Sequence, residues 1–249
     1  MMLPAFPEAL LAVCMFLGAA LYTSVGHAGA SAYLALMALF GLPAATMRPT
    51  ALVLNVLVAT FASTRYLRAG LFRWRVLWPL LIGALPMAFL GGAIQLPGAV
   101  YRPLVGLVLL AAAARLLWSP EPLGNREVRD PPVAWGVLSG AGIGLLSGLT
   151  GTGGGIFLSP LLLFLGWCET RRASGVAAVF ILCNSLAGLA GNLAIVRALP
   201  ADLPLFAGAT MLGALIGTTL GTSRLAVPGI LKALGVVLVV AGVKLIGVY

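Results

Sequence analysis

Charged side chains are scarce in this chain of 249 residues: only 8% are Asp, Glu, Lys or Arg, while 61% are hydrophobic. Soluble domains carry about 25% charged residues, so this chain lacks the polar side chains needed to cover a globule in water. A water-soluble fold is therefore excluded, and the composition predicts an integral membrane protein.

Carboxylates and histidine are rarer still. The six Asp and Glu residues fall at the ends of apolar segments or in loops, and His27 is the single histidine. Cation carriers and metal exporters need oxygen, histidine or cysteine ligands inside the membrane, so neither class is expected, and neither is a carboxylate proton relay. The sequence predicts no metal and no cofactor. It does not predict an enzyme, since no GxSG stretch accompanies the histidine, as an intramembrane serine protease would require.

The three cysteines, Cys14, Cys168 and Cys183, are widely spaced and form no CxxC pair. We expect them to be small packing residues rather than redox groups. The net charge is +9, with the cations mostly in short loops, which predicts contact with anionic lipid headgroups rather than nucleic acid. The opening stretch MMLPAFPEALLAVCMF has no Lys or Arg, which favours a retained first span over a cleaved signal peptide.

Ten apolar segments follow one another in the order long, short, long, long, long, which occurs twice. They are Glu8–Val25, Ala30–Phe40, Pro49–Tyr66, Val76–Leu96, Tyr101–Trp118, Val133–Leu149, Ile156–Leu165, Ala173–Val196, Leu203–Arg224 and Val227–Val248. The long segments approach the ~20 residues that a membrane-spanning helix needs, and the two short ones do not. A shift of 125 residues places Gly26 on Gly151, Gly29 on Gly154 and Gly41 on Gly166. The sequence therefore predicts an all-α protein of two repeats, residues 1–118 and 133–249, joined by a cytoplasmic linker at 119–132.

The distribution of cations favours one topology. If the short segments cross the membrane, each repeat has five crossings and the second repeat is inverted; if they are re-entrant, each has four and the repeats are parallel. The inverted arrangement puts eleven of the fifteen Lys and Arg residues on the side of the loop that holds Arg65, Arg68, Arg73 and Arg75, and the parallel one puts nine there. Because cytoplasmic loops are enriched in these residues, we predict the inverted arrangement, with both termini outside together with four cations: Arg48, Arg102, Arg197 and Lys244.

The stretch LTGTGGGIFLSPLL, from Leu149 to Leu162, interrupts the apolar run with four glycines. Small residues allow membrane helices to pack closely, but three successive glycines cost about 1 kcal/mol each in a helix, so Gly153–Gly155 indicates a helix break. A break within the membrane must be buried in protein or line a wet cavity, and the short helix after it points free N–H groups and a positive dipole end at that space. We predict a site for a small anion there.

The first repeat has SVGHAGASAY, Ser24 to Tyr33, in the matching place, with His27 where the second repeat has Thr152. An ionisable residue at such a break is a candidate ligand or proton-linked group, although a histidine satisfied by a backbone carbonyl is the ordinary alternative. The helix after each short segment carries candidate polar partners: Thr50, Asn55, Thr60 and Ser63 in repeat one, and Ser174, Asn184, Ser185 and Asn192 in repeat two.

These features resemble the TauE/SafE family of sulfite exporters and related sulfonate permeases. The resemblance is best in GLTGTGGGIFLSPLLLFLG (Gly148–Gly166) and ASGVAAVFILCNSLAGLAGNL (Ala173–Leu193), whereas repeat one has Ala35 in the place of Pro160. It implies a bacterial inner-membrane carrier, a monomer or homodimer, for sulfite, thiosulfate, sulfoacetate or other organosulfonates. A carrier of another organic anion and a non-transporting membrane subunit remain alternatives. The expected substrate-binding residues are Ser24, His27, Gly29, Ser31, Asn55, Ser147, Gly151, Thr152, Gly153, Gly154, Gly155, Asn184 and Ser185.

Overall fold

The computed structural model describes residues 6–117, 128–192, 199–222 and 228–247, and these residues form ten α-helices and no strand. The helices are α1 Phe6–Ser24, α2 Ala30–Leu39, α3 Ala44–Arg68, α4 Trp74–Ala93, α5 Gly98–Leu117, α6 Val133–Thr150, α7 Gly155–Phe164, α8 Thr170–Gly191, α9 Leu203–Thr222 and α10 Pro228–Gly247. The predicted all-α class and the order of long and short segments are confirmed. Most of the predicted linker lies outside the described residues.

Six of these helices, α1, α3, α4, α6, α8 and α9, are long and apolar enough to cross a membrane. The short helices α2 and α7 have 10 residues each, so they extend about 15 Å, half of the ~30 Å hydrocarbon core. Large apolar side chains on the outer faces of the helices, among them Val13, Ile82, Leu138 and Leu212, are more than half exposed, which suits contact with lipid tails. The molecule is a multi-pass membrane protein.

The two repeats pack against each other through two pairs of helices, and each pair has one helix from either repeat. Helix α4 of repeat one lies along α6 of repeat two, where Gly140, Gly144 and Gly148 rest directly on the backbone of α4. Helix α9 of repeat two lies along α1 of repeat one in the same way, through Gly213, Gly217 and Gly221. In both pairs the contacts advance together along the chain, so the paired helices run parallel. Membrane helices approach this closely only where side chains are absent, which explains much of the glycine content.

A substitution on α6 tests this close approach. In Gly144→Ala the added Cβ would meet the Ala84 carbonyl oxygen, and α4 would have to move away. We expect a loss of about 1–3 kcal/mol in stability, as for overpacked cores. In Gly142→Ala on the same helix, the Cβ enters open space, and the variant should gain up to about 1 kcal/mol from helix propensity. Thermal unfolding in detergent compares the two; equal midpoints would contradict the packing interpretation.

The connections collect at two ends of the helix bundle. At the first, which we call the linker end, Arg73 pairs with Asp130 at 2.7 Å, the Arg129 N–H donates to the Gly166 carbonyl oxygen at 3.0 Å, and Arg171 donates to Thr222 O at 3.1 Å. At the opposite end, which we call the far end, Lys244 donates to the Leu39 carbonyl oxygen at 2.9 Å. The α3–α4 loop, the residues before α6 and the α7–α8 loop therefore share one end.

The chain changes ends at every helix, the two short ones included. Each repeat thus has five helices, and the second repeat is inverted relative to the first, as predicted. The described Lys and Arg side chains divide unevenly: Arg65, Arg68, Arg73, Arg75, Arg129, Arg171 and Arg172 belong to the linker end, and Arg48, Arg102 and Lys244 to the far end. The linker end is therefore the end that the positive-inside rule assigns to the cytoplasm.

Candidate functional site

Two breaks with the same backbone geometry separate each long helix from the short helix that follows it. Break 1 is Val25–Gly29 and break 2 is Gly151–Gly154. At the matched positions Gly26 and Gly151 the φ angles are 82° and 86°, and at Gly29 and Gly154 they are 99° and 82°. Only glycine adopts this left-handed conformation without strain, so the glycines that revealed the repeat are the ones its turns require.

The contacts of the breaks with the other repeat are reciprocal. Gly26 of break 1 rests on Ser174 near the start of α8, and Gly151 of break 2 rests on Arg48 near the start of α3. A two-fold axis between the repeats produces such a pair of contacts, in which the break of each repeat touches the other repeat at the matching place. The two breaks are therefore arranged around a common centre between α3 and α8.

Break 2 reaches the middle of the bundle. Gly153 lies against the side chains of Asn55, Ile181 and Ser185, and Gly155 lies against Ile181 and His27. Asn55 and Ile181 are close to the midpoints of α3 and α8, respectively. The structure thus brings together residues that lie up to 158 positions apart in the sequence. These residues form the candidate site: His27, Asn55, Gly153, Gly154, Gly155, Asn184 and Ser185.

The side chains of the site are buried and incompletely hydrogen-bonded. Asn184 Nδ2 donates to the Gly153 carbonyl oxygen at 3.3 Å, and Asn55 Nδ2 donates to Ser185 Oγ at 3.3 Å. All three polar residues are at most 1% exposed. The Oδ1 atoms of Asn55 and Asn184 have no partner among the described residues. Leaving a buried acceptor unpaired costs about 1–3 kcal/mol, so each oxygen favours the arrival of a donor.

The backbone of break 2 contributes donors. The hydrogen bonds among the described residues include none donated by the N–H groups of residues 152–156, because these amides precede or begin α7 and have no carbonyl one turn back. The positive end of the α7 dipole is at the same place. Amides, a helix dipole and two asparagine side chains therefore converge on one buried location.

His27 connects break 1 to the start of α7, directly after break 2. Its Nε2 N–H donates to the Gly155 carbonyl oxygen at 2.9 Å and lies 3.2 Å from Ser159 Oγ, while Nδ1 is 3.2 Å from the Val25 carbonyl oxygen. The imidazole also packs edge-on against Tyr22, with ring centroids 6.1 Å apart. The only histidine of the protein thus connects break 1 of one repeat to the first turn of α7 in the other.

Among the described residues, none of the other side chains predicted for the site is hydrogen-bonded to Asn55, Asn184 or Ser185. Ser24 Oγ donates to Leu21 O within its own helix at 2.6 Å, and Ser31 Oγ donates to the Tyr22 hydroxyl at 2.8 Å. Gly29 rests on Tyr33 of its own repeat. Thr152 Oγ1 is 3.0 Å from Thr150 Oγ1, and Ser147 Oγ is buried without a partner among the described residues. Gly151 contacts Arg48 rather than the asparagines.

Two side chains that contact the predicted residues His27 and Gly151 were not predicted from the sequence. Ser159 contacts His27 from within α7, and no local pattern marks it. Arg48 was expected in a loop before a helix starting at Pro49, but α3 begins at Ala44 and encloses both residues. Pro49 is the sixth residue of α3, and the helix continues through it without the N–H bond to the Ala45 carbonyl that another residue there would make.

The site contains no carboxylate among the described residues. Glu8, Asp130, Glu169 and Asp202 all lie in the first turn of a helix or in a connection. No group of three or more His, Cys, Asp or Glu within the described ranges could hold a metal ion. Cys168 is buried in the α7–α8 loop, and burial raises the pKa of its thiol to about 11, so at neutral pH it is an uncharged packing group.

Comparison with known proteins identifies the family of this chain. The family model described as "Sulfite exporter TauE/SafE" matches residues 10–245. The chain is also 38% identical over 239 residues to "Probable membrane transporter protein y4hK" of Sinorhizobium fredii (strain NBRC 101917 / NGR234), covering 95% of this chain and 97% of that protein. No solved structure matches the chain. The chain belongs to the TauE/SafE family of membrane transporters.

Proposed function

We propose that this TauE/SafE transporter carries small sulfur-containing anions across the bacterial inner membrane, with sulfite, thiosulfate, sulfoacetate and other organosulfonates as the candidate substrates. The observation that carries the proposal is the convergence of unpaired amides of residues 152–156 with Asn55, Asn184 and Ser185 at the middle of the bundle. Such a set of donors replaces the hydration shell of a small anion.

The hydrogen-bond donors and acceptors in the site limit the chemical class of ligand that it can bind. Backbone N–H groups supply donors, while the two unpaired asparagine Oδ1 atoms supply acceptors. A bare anion pairs only with the donors. An anion that carries a hydroxyl, such as hydrogen sulfite, or that retains a water molecule pairs with both kinds of group. A divalent metal cation would find no carboxylate among the described residues around the site.

The position of the site between the repeats suggests how access alternates. The site takes break 2 and Asn184 from repeat two, and His27 and Asn55 from repeat one. Rocking of one helix bundle against another would open the centre first to one end of the molecule and then to the other. The glycine-lined pairs α4–α6 and α1–α9 each join a helix of one repeat to a helix of the other, so in this scheme the moving bundles keep these pairs intact rather than separating the repeats.

The variant Asn184→Ala tests the proposal. It removes the amide that holds the Gly153 carbonyl oxygen and so loosens the break 2 N–H groups that would bind the anion, and hydrogen bonds to charged groups contribute about 1.5–3 kcal/mol. We expect the affinity of the purified protein for sulfite to fall about tenfold or more. The measurement is a thermal-shift titration, since a ligand that binds the folded state raises its apparent stability.

A panel of sulfite, thiosulfate, sulfoacetate and acetate titrated into the wild type ranks the substrates in the same assay. Thr60→Ala is the matched control, because Thr60 is exposed on α3 and its hydroxyl donates only to Val56 O of its own helix. The control should bind sulfite as the wild type does. Unchanged sulfite and sulfonate binding by Asn184→Ala would contradict the site, and a wild type stabilised by acetate alone would contradict the substrate class.

A further inference from the structure

Arg48 is a buried cation at the far end of the bundle. Its residue is 4% exposed, although it lies only about one turn inside α3. Ala173 occupies the matching position in α8, so this cation is present in one repeat alone. The inverted topology therefore places it at the non-cytoplasmic end, without a counterpart at the linker end.

The groups that hold Arg48 are backbone carbonyls. Nη1 donates to Ile94 O at 2.8 Å, and Nη2 donates to Gly91 O at 2.6 Å and to Gly92 O at 2.5 Å. These carbonyls end α4, where the helix dipole is partially negative. Among the described residues the carboxylates that form ion pairs are Asp130 and Glu169, and neither pairs with Arg48. The guanidinium is thus held by dipoles, and no carboxylate among the described residues pairs with its charge.

One donor of this guanidinium is unused. The Nε atom is buried and has no partner among the described residues. The backbone and side chain of Arg48 pack on Gly151, where an added Cβ would be 3.2 Å from Arg48 Cγ. Gly151 begins break 2, which leads through Gly153 to the central site. The paired hydroxyls of Thr150 and Thr152 are adjacent in the chain to the same glycine.

We propose that Arg48 forms a second anion subsite, which receives a small oxyanion from the far end and passes it along break 2 to the central site. This inference rests on the proposed function. A buried cation with a free N–H attracts an anion and offers it a charge-assisted hydrogen bond, and the carbonyls of α4 prevent the side chain from following the ligand inward. The subsite acts when the anion first binds from the far end, so it lowers the apparent KM of transport from that end.

The experiment is uptake of radiolabelled sulfite into proteoliposomes, measured over a range of concentrations with the far end outward. In Arg48→Gln we expect the apparent KM to rise about tenfold while kcat changes little. The control is Arg102→Gln, which removes an exposed cation at the same end and should leave KM within about twofold. If Arg48 only caps α4, Arg48→Gln lowers thermal stability and kcat and leaves KM unchanged, and the proposal is overturned.

A second variant covers the case in which Arg48→Gln does not accumulate. Arg48→Lys keeps the charge but loses the forked donors, so KM should rise about threefold, and an unchanged KM overturns the subsite. The two proposals fail differently. A wild type that transports no sulfur anion refutes the proposed function, whereas normal wild-type transport with an unaltered KM in the Arg48 variants refutes the subsite alone.

Discussion

Gly153→Ala should reduce sulfite flux in proteoliposomes about 30-fold or more. The φ angle of Gly153 is +75°, and a non-glycine residue in this region stores about 1–3 kcal/mol of strain. The added Cβ would also collide with Asn55 Nδ2 and would lie 3.0 Å from Ile181 Cγ2 and 3.2 Å from Ser185 Oγ. Together these effects cost at least about 2 kcal/mol in the geometry of the site, and each 1.4 kcal/mol corresponds to a factor of ten.

Gly41→Ala separates the collision from the strain. Gly41 has nearly the same conformation, with a φ of +78°, but an added Cβ there meets nothing within 4 Å. It lies in the α2–α3 connection, away from the breaks. This variant should keep flux within about threefold of the wild type and lose only stability. If Gly41→Ala impairs flux as severely as Gly153→Ala, the loss comes from backbone strain in general, and the contacts around Gly153 do not form the site.

The fold was largely predictable because it depends on sequence features that are either local or repeated at a constant spacing. Apolar length indicates spans, glycine indicates left-handed turns, and a constant offset of 125 residues indicates duplication. Gly26 and Gly151, or Gly41 and Gly166, adopt matched positive φ angles because no other residue adopts them without strain. Even the inverted topology followed from counting cations, since membrane insertion itself depends on the same charges.

The partners within the site were less predictable, because they depend on contacts between distant backbone atoms. Every residue has a carbonyl, so the sequence gives no sign that Gly91, Gly92 and Ile94 would hold Arg48. The same applies to the contact of His27 with the Gly155 carbonyl, 128 residues away. Asn184 and Ser185 were identifiable because polar residues at the centre of an apolar segment are costly unless they have partners. Ser24 and Ser31 are close to break 1 in sequence, but proximity in sequence does not fix the direction of a side chain, and their hydroxyls donate to Leu21 O and to the Tyr22 hydroxyl.

The differences between the two halves of the site are as informative as their symmetry. Break 2 presents consecutive glycine amides, whereas break 1 has Ala28 and Ala30 beside Gly29 and supplies a side chain, His27, instead. The position of Asn55 corresponds to Phe180 in the other repeat, and that of Asn184 corresponds to Ala59. Each asparagine is therefore related by the two-fold axis to an apolar residue. Under the proposed function, break 2 would therefore hold most of the ligand, and break 1 would contribute through the His27 imidazole, which contacts the start of α7.

His27→Leu should lower sulfite flux about 30-fold. The change removes the donor to the Gly155 carbonyl oxygen, the contact with Ser159 and the edge-on packing on Tyr22. Each hydrogen bond contributes about 1 kcal/mol and an aromatic pair about 0.5–1.5 kcal/mol, so the tie between break 1 and α7 weakens by about 2 kcal/mol or more. Because that tie joins break 1 of one repeat to the helix that follows break 2 of the other, its loss should disturb the movement between access states rather than one binding contact alone.

Two companion variants decide whether His27 acts through its donor. His27→Gln places an amide N–H near the position of Nε2 and should restore flux to within about fivefold of the wild type, which a merely space-filling role would not require. Ser159→Ala removes one hydroxyl while leaving the bond to Gly155 intact, and it should cost about threefold or less. Flux is measured in proteoliposomes alongside thermal unfolding in detergent. If the Leu and Gln variants lose flux equally, or if flux falls only in proportion to stability, His27 is a packing residue and the two breaks are coupled by other contacts.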